Sequence, residues 1–155
     1  MSNRIDIKNL KVAEFLSEET VAFSASLYWD GKKVGEASND GHGGANRILL
    51  LGKSGKWDRE LMDEMAKEAE THTWTYEGLT EPHSLDSYIS QLVEDKQEEK
   101  FLKKECRKNT LFRIPGKTYK DGEYDCFRSY YSLGLRDWLI KQHGKDVLIL
   151  NESIN

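Results

Sequence analysis

Long apolar runs are missing from this chain. No stretch approaches the ~18 consecutive apolar residues that a membrane-spanning helix needs, and Met1-Ser2-Asn3-Arg4-Ile5-Asp6 lacks the apolar core of a secretory signal. Cysteine is scarce. Cys106 and Cys126 stand 20 residues apart with no Cys-x-x-Cys, which argues against a disulfide scaffold and a thiolate zinc site. Two prolines and no low-complexity tract argue against disorder. The net charge of −4 has the wrong sign for binding nucleic acid and is too small for a mimic of it. These absences predict a soluble, cytoplasmic protein with reduced thiols. It should need no cofactor and take neither membrane nor nucleic acid as partner.

Catalytic spacings are missing as well. There is no Gly-x-x-x-x-Gly-Lys-Ser/Thr, no Gly-x-Gly-x-x-Gly, no Gly-x-Ser-x-Gly and no His-Glu-x-x-His. The four histidines, His42, His72, His83 and His143, do not pair with another His or Cys at metal-ligand spacing. Glu18-Glu19 and Glu98-Glu99 are adjacent carboxylates with no sign that they converge as an acid–base pair. The chain reads as a binding protein rather than an enzyme.

What is present is a 155-residue chain, 37% apolar, with four Trp, seven Tyr and five Phe to build a core. That length suits a single α+β domain over 1–155, able to bury roughly two-thirds of its unfolded surface. Ile5 to Phe15 reads as a first strand over about 5–16. Val21 to Trp29 alternates as a second, and Asp30-Gly31 turns it into a third at 32–37. Ile48-Leu49-Leu50-Leu51 is a short buried strand or turn. A helix over 57–71 carries Trp57, Leu61, Met65 and Ala69 on one stripe, with Ser54 as a plausible cap. Thr73-Trp74-Thr75-Tyr76 has strand character, and 77–84 is the one candidate boundary. Ser84 caps a helix over 85–107. Thr110 to Ile114 is a strand, a second hairpin folds about Asp121-Gly122, and Ser132 caps a third helix ending at Gly144. Val147 to Leu150 closes the fold. Segregated strands and helices define the α+β class: an antiparallel N-terminal meander, two helices, a hairpin, a helix and a closing strand.

The candidate site is the loop Ser38-Asn39-Asp40-Gly41-His42-Gly43-Gly44-Ala45-Asn46-Arg47, where three of the twelve glycines fall within four positions. Glycines admit positive φ and close approach of a ligand. Backbone amides there, with Asn39, His42, Asn46 and Arg47, could form an anion nest for a nucleotide or phosphate, and Asp40, Gly41, Gly43 and Gly44 complete the candidate ligand-binding residues. The same glycines equally serve a bulge or tight reversal between strands. Gly52-Lys53-Ser54-Gly55, before the first helix, offers a second anion seat of the same kind. His42 could act as a general base only with a nucleophile and an orienting carboxylate. Charge is segregated: eight acids against Arg59 and Lys67 over 58–81, and eight bases against Glu105 alone over 100–120.

Asn39-Asp40-Gly41-His42-Gly43-Gly44 after a hairpin, followed by a basic helix end leading into Lys108-Asn109-Thr110-Leu111-Phe112-Arg113, resembles small uncharacterised proteins encoded by bacteriophages and prophages. The likeness runs through most of the chain in order. It implies a bacterial or phage setting and an accessory role, including inhibition of a host defence complex, and it carries over no catalytic residue. The leading expectation is therefore a non-enzymatic binding protein with a host or phage protein as partner. The alternatives are a nucleotide- or anion-sequestering protein using 39–47, and a small phosphoryl-group hydrolase using His42.

Overall fold

The computed structural model describes residues 3–51, 57–120 and 122–154. Its packing divides into two compact units, Met1–Glu94 and Asp95–Asn155. The fold is mixed α+β.

The first unit is built on an antiparallel meander of β1 (Ile5–Val12), β2 (Phe23–Trp29), β3 (Lys32–Asn39) and β4 (Arg47–Leu50), in that spatial order. The alternation of β2 sets its faces: Phe23, Ala25 and Leu27 are buried and Ser24 is exposed. Register carries the same face across the sheet, with Ile7 opposite Leu27, Ala25 opposite Ala37 and Ala37 opposite Ile48. Against this face lie α1 (Arg59–Glu70) and residues 85–94 of α2 (Leu85–Cys106), bringing Met65, Ala69, Leu85, Tyr88, Ile89, Leu92 and Val93. Each large apolar side chain so enclosed contributes roughly 2 kcal/mol of transfer free energy. The turn between β2 and β3 has Asp30 and Gly31 at φ +47° and +79°, as a two-residue hairpin requires.

Three local expectations give way here. The first strand stops at Val12, and Phe15 lies 87% exposed on a 3₁₀ turn, Glu14–Leu16. Ser17 closes that turn, its hydroxyl donating to the Ala13 carbonyl and accepting from the Ala22 N–H. Helix α1 begins at Arg59 with Asp58 as its cap, accepting from the Leu61 N–H at 3.0 Å; Ser54 lies outside the described residues. Trp57 therefore precedes the helix and pairs with Leu51 instead of joining the stripe. Finally, 77–84 is not a boundary: Thr73–Tyr76 (β5), a strand as its sequence suggests, pairs with Leu79–Pro82 (β6) in a hairpin through a turn with Glu77 and Gly78 both at positive φ, and the two units divide after Glu94.

The second unit holds a three-stranded sheet in the order β8 (Asp125–Phe127), β7 (Thr110–Arg113), β9 (Leu148–Ile149), with α3 (Leu133–His143) and the end of α2. Phe112, Leu139, Val147 and Ile149 form its core. Ser132 caps α3 by accepting from the Leu135 N–H, and Gly144 ends it at φ +93°. The expected hairpin about Asp121-Gly122 is not the pairing observed. Residues 117–120 are not a strand, and β8 pairs with β7, Cys126 opposite Leu111. Lys117 and Tyr119 instead turn their polar ends onto Asp125. Buried Asn151 fastens the end of the chain, accepting from the Leu111 N–H and donating to the Asn109 and Cys106 carbonyls. Cys106 and Cys126 are free.

Candidate functional site

The glycine loop is a built structure. Asn39, the last residue of β3, organises it from both ends of its amide. Its Oδ1 accepts from the Gly41 N–H and the Thr20 hydroxyl, each at 2.8 Å, and its Nδ2 donates to the Gly44 carbonyl and to Asn46 Oδ1 at 2.9 and 3.1 Å. Asp40 accepts from the His42 N–H at 3.2 Å. The buried Gly41 carbonyl takes three successive amides, Glu18, Glu19 and Thr20, at 3.1, 3.0 and 3.3 Å. Gly41 must be glycine: its φ is +88°, and a Cβ there would lie 2.2 Å from the Leu16 carbonyl oxygen. Asn46 ties the far end of the loop to α2. Its backbone N–H donates to Asp86 Oδ1 at 2.8 Å, and its Nδ2 to the Asp86 carbonyl and the Ser90 hydroxyl.

The loop amides at 41, 42, 43 and 46 are thus engaged within the chain, the third by the Thr20 hydroxyl at 3.3 Å. Of the expected ligand-binding residues, Asn39, Gly44 and Asn46 line one cleft of about 550 Å³. Asp40, Gly41, His42, Gly43 and Arg47 do not line it. Arg47 is an exposed strand residue opposite Ser38. His42 is exposed, with its Nδ1 3.2 Å from Glu18 Oε2, and among the described residues no hydroxyl or thiol bonds to its ring. The segment 52–55, the second expected anion seat, lies outside the described residues.

The other walls come from parts of the sequence that gave no separate signal: the turn Ser17 to Val21, Phe23, and Asp86, Ser90, Val93 and Glu94 of α2. Four acidic residues, Glu18, Glu19, Asp86 and Glu94, are among those lining the cleft, with no lysine or arginine among them; the Glu18 carboxylate reaches His42 and the Asp86 carboxylate accepts from the Asn46 N–H. A unit charge about 4 Å from one carboxylate gains or loses about 1 kcal/mol in water and about 4 where the surface lowers the effective dielectric. The residues lining the cleft are net acidic. Glu18 and Glu19 reach the cleft because the Gly41 carbonyl gathers their amides. Sequence reading gave no sign of the contact between residue 46 and residues 86–90, which depends on how α2 docks.

A second polar group surrounds the start of α2. His83 is buried with Nδ1 2.9 Å from the Ser87 hydroxyl, which also donates to the Ser84 carbonyl. The Ser84 hydroxyl accepts from the Ser87 N–H, so this cluster caps the helix. Tyr88 stacks on His72 with ring centroids 4.5 Å apart. Among the described residues no three His, Cys, Asp or Glu side chains are grouped to hold a metal ion, and no helix is long and apolar enough to cross a membrane. Compared with family models, curated proteins and solved structures, the chain matches none.

Proposed function

We propose that this is a binding protein without catalysis of its own, whose partner is a protein of a bacterial host or its phage. It takes a cationic segment of that partner, a lysine or arginine side chain with its neighbours, into the cleft beside the 39–46 loop. Inhibition of a host complex is the role in line with the resemblance to phage-encoded proteins. The observation that carries the reading is the cleft itself: about 550 Å³, four acidic residues and no lysine or arginine in its lining, and a wall braced before anything binds. A braced wall loses little conformational freedom on association, so more of the contact energy appears as affinity.

The test is a titration of the ¹⁵N-labelled protein with a synthetic hexa-arginine peptide, paired with capture from bacterial lysate. Shifts should concentrate at 17–21, 39–46 and 86–94, weaken as salt is raised, and vanish in the Glu18→Gln/Glu19→Gln/Glu94→Gln protein. The same triple variant should lose whatever partner the wild-type chain captures. Shifts elsewhere, or a partner retained by the triple variant, would sink the proposal.

A further inference from the structure

The hairpin of β5 and β6 is exposed on both faces, every residue from 73 to 82. Register puts Trp74, Tyr76, Leu79 and Glu81 on one face, with Tyr76 opposite Leu79 and Trp74 opposite Glu81. The three apolar side chains are 41%, 63% and 67% exposed. A lone two-stranded ribbon is marginal in water, and its open edges invite another strand.

The two edges are not equivalent. The His83 N–H donates to the His72 carbonyl at 2.8 Å, which makes that pair a hydrogen-bonded one. Antiparallel alternation then puts 74/81 and 76/79 in the same class and turns the backbone groups of Thr73, Thr75, Thr80 and Pro82 outward. On β6 the outward row is blunted, because Pro82 has no N–H and Glu81 stands beside it. On β5 both outward residues are threonines with intact N–H and C=O groups, and no described residue bonds to them. Thr73-Trp74-Thr75 also reads the same in both directions and carries no charge.

We infer that β5 is a self-pairing edge: two copies of this chain join antiparallel about a two-fold axis through Trp74, forming a four-stranded sheet β6-β5-β5-β6. Thr73 of each copy meets Thr75 of the other in two rings of paired hydrogen bonds, four bonds in all. The two Trp74 side chains then face each other in the close, non-hydrogen-bonded position, where aromatic cross-strand pairs are most favourable. Charge favours a second copy over this edge. No like charges meet across the axis, and the two Glu81 residues stand three strand spacings apart, about 14 Å, beyond a Debye length at physiological salt. The blunted β6 edges end the assembly at two.

The contact is small beside a standard interface, so self-association should be weak. Sedimentation of the full chain over roughly 5–500 µM should show a reversible monomer–dimer equilibrium. Thr75→Pro removes an outward N–H from each copy, two of the four bonds, without touching the hairpin's own ladder. It should weaken the dimer about tenfold or more. Thr80→Pro removes the matching N–H from the β6 edge and should leave the dimer unchanged. Trp74→Lys, which sets two ammonium groups across the axis, should abolish it. A wild-type chain that stays monomeric throughout, assemblies larger than two, or equal weakening by Thr75→Pro and Thr80→Pro would each overturn the inference.

Discussion

Asn39 Nδ2 donates to Asn46 Oδ1 across 3.1 Å, joining the two ends of a seven-residue excursion between neighbouring strands. Asn46 passes the connection on, through its own Nδ2, to the Asp86 carbonyl at 3.1 Å and the Ser90 hydroxyl at 2.8 Å. The loop, the sheet edge and the first turns of α2 are one hydrogen-bonded assembly.

Asn46→Ala removes three side-chain hydrogen bonds at once, leaving the amide of Asn39 without one of its acceptors. The expected cost is about 1–3 kcal/mol, since neutral bonds contribute about 1 kcal/mol each and partly exposed ones less. Urea unfolding followed by tryptophan fluorescence reads it. A loss below about 0.5 kcal/mol, the scale of an ordinary surface substitution, would mean that the loop is not held by Asn46.

Gly41→Ala and Gly44→Ala make a matched pair. At Gly41 an added Cβ meets the Leu16 carbonyl at 2.2 Å in a backbone with φ +88°; at Gly44 nothing lies within 4 Å. The first substitution should cost about 2 kcal/mol or more and the second less than about 0.5. Thermal melts of the two proteins at one concentration check the difference, and similar midpoints would contradict it.

Asp125 supplies a pH signature. The Lys117 ammonium, bonded to both carboxylate oxygens at 2.8 and 3.0 Å, and next the Tyr119 hydroxyl at 2.7 Å, hold its carboxyl below the usual aspartate range. A carboxyl with a lowered folded-state pKa stabilises the fold above its unfolded value near pH 4. That contribution is lost as the pH falls through the folded value. Asp125→Asn should therefore be less stable at pH 7 and show a shallower fall in stability between about pH 5 and 2. Urea midpoints measured stepwise across that range give the comparison; parallel curves would rule out the coupling.

The elements that local chemistry specifies were legible in advance. Asp30-Gly31, Ser84, Ser132 and Gly144 mark turns and caps by their own side chains or backbone freedom. The alternation of Phe23, Ala25 and Leu27 fixes a strand face wherever that strand lies. What depends on partners distant in sequence was not legible. Glu77-Gly78 is a weaker turn signal than Asp30-Gly31, since glutamate seldom takes the positive φ it has here, and Thr73–Tyr76 is too short to read as half of a hairpin without its partner. Asp125 pairs with Lys117 and Tyr119 through side chains while its strand bonds to β7, so a sequence-local hairpin was the wrong geometry. The glycines marked a segment of which Asn39, Gly44 and Asn46 line the cleft, and they gave no sign of its other walls. The acidic residues that line the cleft arrive from 18–19 and 86–94, and no spacing rule joins those to residue 39.

The Gly41 carbonyl, holding the amides of Glu18, Glu19 and Thr20 together, has one more effect. The turn that bears two of the cleft's acids cannot swing away from the loop without breaking three bonds to a single oxygen. On the proposed reading, an incoming partner would meet a mould of fixed outline instead of a jaw that closes, and discrimination among basic sequences would fall to shape. Drift at Ser90 or Glu94 would alter the surface it shows, while a change at position 41 would dismantle it.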